Sequence, residues 1–90
     1  MLAIHYEGKM KKQLKLMQKR GKDINKLIFV LNTLANGQIL PEKYRDHKLT
    51  GNFMGYRECH IEPDWLLIYK IIKERLILVA TATGTHSDLF

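Results

Sequence analysis

The chain has 90 residues, enough for one domain with a modest core, and its 46% apolar content marks it as globular rather than disordered. Lys plus Arg number 15 against 9 acidic residues, and the formal charge of +6 favours an anionic partner, nucleic acid or an acidic protein. The single cysteine, Cys59, excludes an internal disulfide framework and a Cys-rich zinc site, and it suits a reducing cytoplasm. His5, Glu7 and Lys9 leave no signal peptide in the first ten residues, and no apolar run nears the ~20 residues of a membrane helix.

Leu2 to Glu7 alternates loosely and is expected to form a first strand, ended by Gly8. From Lys9 to Arg20, the residues Met10, Leu14 and Met17 recur at helical spacing. This helix carries lysines on its other faces, among them Lys11, Lys12 and Lys15. They form either a solvated face or a surface for RNA phosphates. Gly21 closes the helix. Asp23 is the expected N-cap of a second helix, whose stripe is Ile24, Leu27, Ile28, Leu31, Leu34 and Ala35. Asn36-Gly37 stops it.

Gln38 to Asn52 shows no clear period and reads as a long ordered loop. Loops of that length in small domains are often functional. This one holds Lys43, Arg45, Asp46, His47 and Lys48. Three strands follow: Phe53 to Ile61, Asp64 to Lys73, and Arg75 to about Thr83. Trp65 to Ile72 is almost wholly apolar and is expected to be the buried central strand. Pro63, flanked by Glu62 and Asp64, presets the first turn, and Lys73-Glu74 makes the second. The order β-α-α-β-β-β predicts an α+β domain, with two helices on a mainly antiparallel twisted sheet. The first strand is expected beside the last.

The first hairpin is expected to bring His60, Asp64 and Trp65 to one end of the sheet. The loop and the tail add His47 and His86. Imidazole suits proton transfer near neutrality. Cleavage of RNA without metal needs a base for the 2′-OH, an acid for the leaving 5′-oxygen, and cations for the phosphate. His47, His60, Asp64 and His86 are candidates for the first two needs. Arg57 and nearby lysines are candidates for the third. A metal site of three His plus Asp is the rival, but no compact His pair supports it. Nothing in the sequence stands out as an aromatic platform for bases, so free RNA is expected to be a poor substrate.

Several blocks resemble one family. They are Tyr44-Arg45-Asp46-His47-Lys48-Leu49, Gly55-Tyr56-Arg57, His60-Ile61-Glu62-Pro63-Asp64-Trp65, and Thr83-Gly84-Thr85-His86 with Leu89-Phe90. In this order and spacing, they resemble the YafQ-type mRNA interferases of the RelE toxin superfamily, over nearly the whole chain. The resemblance implies a microbial-ribonuclease-like domain that cleaves messenger RNA in the decoding site of the 70S ribosome. It implies no metal and no cofactor, and a cognate antitoxin as partner. It assigns catalytic positions to His47, His60, Asp64 and His86, and RNA contacts to Trp65 and Phe90. His86 or His47 is then the acid, and Asp64 or His60 the base or its orienter. Arg57, Lys48, Lys11, Lys12 and Lys15 are expected to grip RNA.

One position departs from the family. The arginine usual just before the Thr-Gly-Thr-His run is Ala82 here, at what reads as a surface position. Phosphate stabilisation is expected to weaken and activity to fall. The alternative function is a non-catalytic module that binds RNA or an antitoxin, which has no need for three converging histidines.

Overall fold

In the computed structural model, which describes residues 1–90, the helical layer is set by its caps. The first helix, α1, spans Gly8–Lys19, and Gly21 behind it takes a φ of +83°. Only a residue without a Cβ adopts that angle freely. Lys22 N–H then returns to Met17 O at 3.0 Å, closing the helix end. The second helix, α2, spans Ile24–Ala35, and the Asp23 carboxylate accepts the Asn25 N–H at 3.0 Å, as an N-cap does.

The strands are β1 (Ala3–Tyr6), β2 (His47–Lys48), β3 (Arg57–Glu62), β4 (Trp65–Ile72) and β5 (Ile77–Gly84), followed by a short helix, α3 (His86–Leu89). Their order in the sheet is β1-β5-β4-β3-β2. All pairs are antiparallel except β1 with β5, which run parallel. The first strand does lie beside the last, and the α+β class is as expected.

Met10, Met17, Leu27, Val30 and Leu31 of the helices meet Trp65, Leu67, Tyr69, Leu78 and Ala80 of the sheet in one core. Burying each large side chain is worth roughly 1.5–3 kcal/mol, so this layer holds the fold.

Several boundaries differ from the sequence reading. β3 begins at Arg57 rather than Phe53, because Gly51–Phe53 forms a 3-10 turn and Gly55 turns the chain at φ +92°. The loop contains the two-residue strand β2, which is formed only by pairing with β3. The apolar stripe of α2 is rotated: Val30 is buried, and Ile28 is 44% exposed. The tail is a helix, capped by Thr85, whose hydroxyl accepts the Asp88 N–H while the Asp88 carboxylate accepts the Thr85 N–H.

Candidate active site

Side-chain alternation divides the sheet into two faces. Cys59, Ile61, Trp65, Leu67 and Tyr69 belong to the helix-side core. The residues between them point the other way, in register. His47 lies opposite Glu58, Glu58 opposite Ile68, and Ile68 opposite Ala82. In the next row, His60 lies opposite Leu66, and Leu66 opposite Gly84.

This face gathers three histidines. The rings of His47 and His60 are 6.5 Å apart, and those of His60 and His86 are 5.8 Å apart. Each ring has one nitrogen committed to an acceptor. His47 Nδ1 donates to Arg45 O at 2.6 Å, and His60 Nδ1 donates to Pro63 O at 3.2 Å. His86 Nδ1 donates to the Asp64 carboxylate at 2.8 Å. A carbonyl cannot donate, so the proton sits on Nδ1 of His47 and His60; the carboxylate fixes the same tautomer in His86. All three rings therefore keep Nε2 for exchange.

Asp64 accepts twice from His86, since the His86 backbone N–H also reaches it at 3.1 Å. The bond from the His86 ring holds the Asp64 carboxyl below the usual carboxylate range. Asp64 is thus positioned to orient His86.

Glu58 was not singled out in the sequence. It is 5% exposed and lies on the histidine face, with one carboxylate oxygen 3.5 Å from His60 Nε2. One ligand-type atom from each of Glu58, His60 and His86 lies within 4.8 Å of the others. The signal was available, because Glu58 precedes His60 by two residues in a strand and so shares its face.

Gly84 lets the tail fold back. A Cβ there would sit 2.8 Å from the Cβ of Asp88. α3 therefore turns directly out of β5, placing His86 at its start and Phe90 just beyond it. Phe90 is 59% exposed, and its ring stands 5.4 Å from that of Phe53, which lies 6.5 Å from Tyr56. No stretch of the sequence marks an aromatic platform. The fold makes an aromatic cluster from two distant segments.

Three site expectations are corrected. Trp65 is fully buried on the helix side, and its Nε1–H donates to the Thr83 hydroxyl at 2.9 Å, so it cannot touch RNA. Arg57 points to the same side as Cys59, and its Nε donates to Asp46 at 3.2 Å and to the Tyr69 hydroxyl at 3.3 Å. It is held away from the histidines. Ala82 is 3% exposed, so it is a buried wall position rather than a surface one. Lys11, Lys12 and Lys15 are exposed on α1, with the sheet between them and the histidines. Lys48 is exposed at the edge strand, one residue past His47.

A cavity of about 460 Å³ opens beside His60, lined also by Lys26, Lys43, Tyr44, Arg45 and Glu62. Lys22 and Lys26 both grip Glu62, at 2.8 and 2.9 Å, and hold its carboxyl below the usual range. Lys43 and Arg45 have no carboxylate partner.

Residues 2–90 match the family described as bacterial toxin of type II toxin-antitoxin system, YafQ. The chain belongs to this family. It is 48% identical over 88 residues to the mRNA interferase toxin YafQ of Escherichia coli K12, covering 97% of this chain and 94% of that protein. A metal-bound toxin from Helicobacter pylori superposes with a TM-score of 0.95 at 43% identity, with 100% of both chains covered. The toxin in the E. coli DinJ-YafQ complex gives a TM-score of 0.89 at 45% identity, covering 100% of this chain and 99% of that one. No helix is long and apolar enough to cross a membrane.

Proposed function

We propose that this YafQ-family toxin is an endoribonuclease that cleaves messenger RNA in the decoding site of the ribosome and is held in check by a cognate antitoxin. The observation that carries the reading is the set of three histidines, each with Nδ1 committed, with Nε2 open on His47 and His86 and facing Glu58 at 3.5 Å on His60. A binding module has no use for that arrangement. The name of the E. coli relative, an mRNA interferase, points to the same substrate.

The proposed chemistry is transesterification. His60, with Glu58 beside it, takes the 2′-OH proton. The 2′-oxygen attacks phosphorus, a 2′,3′-cyclic phosphate forms, and the P–O5′ bond breaks. His86 acts as the imidazolium, with Nδ1–H held by Asp64, and gives its Nε2 proton to the departing 5′-oxygen, which leaves the neutral Nδ1–H tautomer. His47 contacts a non-bridging oxygen. General acid–base groups of this kind each contribute about 10²–10⁴-fold. With alanine at 82 and Arg57 engaged elsewhere, the cations without a carboxylate partner include Lys43 and Arg45, in the cavity beside His60, and Lys48, next to His47. That shortage of charge makes the protein depend on a ribosome that presents a bent message.

The test is single-turnover cleavage on programmed ribosomes, with free RNA alongside and a transition-metal chelator in a parallel arm. Cleavage on ribosomes only, indifferent to the chelator and lost in His86→Gln, is expected. Unchanged cleavage by His86→Gln defeats the assignment.

A second reading rests on Glu58, His60 and His86. The spacing of their ligand atoms suits a transition ion, and a similar H. pylori toxin is described as metal-bound. His60 and His86 already donate Nδ1 to a carbonyl and a carboxylate, the outer partners that metal-bound histidines use. An ion held there blocks both Nε2 atoms. Zinc added at stoichiometric levels then inhibits cleavage, and Glu58→Gln weakens that inhibition. The antitoxin reading rests on the DinJ-YafQ complex and on the +6 charge. An acidic antitoxin segment whose affinity stays flat as salt rises contradicts a charge-driven contact.

A further inference from the structure

Arg45 stands in the left-handed region of the backbone, at φ 49° and ψ 44°. Glycine takes that conformation freely, whereas a residue with a side chain meets a steric cost, and such residues cluster at functional sites. Its N–H closes the 3-10 turn Glu42–Tyr44 on Glu42 O at 2.9 Å. Its carbonyl accepts the His47 Nδ1–H, and the residue also lines the cavity beside His60.

Lys43 belongs to the same turn. Its ammonium sits 5.3 Å from the centre of the Tyr44 ring, a cation–π contact. Tyr44 is itself anchored, packed against the core and 6.5 Å from the Phe29 ring. Neither Lys43 nor Arg45 meets a carboxylate. The one carboxylate lining the cavity, Glu62, is taken by Lys22 and Lys26, so the lining stays net positive.

The cavity also has a direction. His60 lines it, and neither Asp64 nor His86 does, so it belongs to the base's end of the site. The base acts on the nucleotide that carries the 2′-OH, and the acid acts on the next one. At the base's end, the nearest further anion of the RNA is the phosphate 5′ to that first nucleotide.

We propose that this cavity is a second phosphate seat, in which Lys43 and Arg45 bind the phosphodiester 5′ to the nucleotide whose 2′-OH attacks. This assignment rests on the cleavage reading above, which makes His60 the base and so fixes which phosphate falls there. Phosphate contacts set register and carry no sequence information. The seat therefore holds the message with its 2′-OH at His60, and it disfavours attack by a 5′-terminal nucleotide that lacks a phosphate.

The test uses the non-cleaving His86→Gln protein and a 2′-O-methyl dinucleotide, with and without a 5′-methylphosphate that carries the charge of the upstream diester. Calorimetry is expected to show about ten-fold tighter binding with that group, the scale of one hydrogen bond to a charged partner. Lys43→Gln and Arg45→Gly each reduce the advantage, and together they abolish it. Arg45→Gly keeps the left-handed backbone and the acceptor for His47, and its melting temperature stays near that of the parent. Arg45→Lys retains part of the advantage. Lys9→Gln, which removes one exposed charge from α1, leaves it intact. No advantage, or one that survives the paired substitution, overturns the proposal. So does an equal loss in Lys9→Gln, which reduces the effect to bulk charge. Inorganic phosphate binding as tightly as the complete ligand makes the cavity a free-anion site and overturns it too. Failure of the cleavage reading shows separately, as absent cleavage by the wild-type protein on ribosomes while the phosphate advantage stands.

Discussion

Arg20, at the end of α1, and Asp88, in α3, form a two-pronged ion pair across 68 residues of sequence, at 2.6 and 3.1 Å. The same carboxylate caps Thr85, so one side chain joins the helical layer to the tail that carries His86 and Phe90. Arg20→Gln is expected to loosen that tail without unfolding the domain. Small misplacements of a catalytic group cost up to about a hundred-fold in rate. The single-turnover rate should fall roughly ten- to a hundred-fold in Arg20→Gln, while Arg20→Lys recovers part of it. Faster amide exchange at Asp88 to Phe90, with the melting temperature nearly constant, is the accompanying sign. Wild-type rates in Arg20→Gln show that the pair does not position the tail.

Acid stability follows from the same pair. The Arg20 guanidinium, and then the Thr85 N–H, hold the Asp88 carboxyl well below the usual carboxylate range. Asp64 and Glu62 are shifted the same way. A depressed carboxyl takes up its proton more readily in the unfolded chain, whose value is ~3.9 for Asp. Its contribution is complete above that value and is lost as pH falls through the folded one. Melting temperatures should hold steady from neutral pH to about 5 and drop below about 4, with a shallower drop in Asp88→Asn. Parallel curves for the two proteins would remove the pair from the account.

Ala82 faces Ile68 in the row that leads to Glu58 and His47. An arginine there would reach the histidine face, where the proposed cleavage puts the phosphate. We expect Ala82→Arg to raise ribosome-dependent cleavage by about two orders of magnitude, the scale of one preorganised donor. Because the position is buried, a control of similar length is needed. Ala82→Met fills the space without charge and should give no increase. Equal rates for the Arg and Met variants would assign the phosphate to other cations, and Arg45→Ala would then be the variant to measure.

Trp65 acts through packing. Trp65→Ala should cost about 3–5 kcal/mol in chemical denaturation, as for other buried aromatic truncations. Trp65→Phe should cost less and leave cleavage near wild type, since it gives up mainly the hydrogen bond to Thr83. A folded Trp65→Phe protein that fails to cleave would return the residue to the site.

Much of the architecture was readable from residue order. The apolar run of β4, the helical spacing of Met10, Leu14 and Met17, and the Pro63 turn each have a local cause. β2 has none, because two residues become a strand only when β3 pairs with them. α3 could have been read, since Thr85 and Asp88 stand three apart as a capping box does. Strand alternation takes Arg57 and Trp65 out of the site: residues adjacent to Glu58 and Leu66 must point to the opposite face. Phe53 and Phe90 meet only through tertiary folding, and no local pattern announces their contact.

The place of β5 governs how the chain can fold. It lies between β1 and β4, although it is the last strand to follow in sequence. Until it docks, β1 has no neighbour, and the apolar β4 presents an unpaired edge. Pairing β5 with β1 joins segments more than 70 residues apart, as in Ala3 with Ile77. Such distant closures are slow, and an open apolar edge invites pairing with another chain. Folding should therefore be a late, nearly all-or-none event. Substitutions that weaken β5 should lower the soluble yield before they lower the activity of the molecules that do fold.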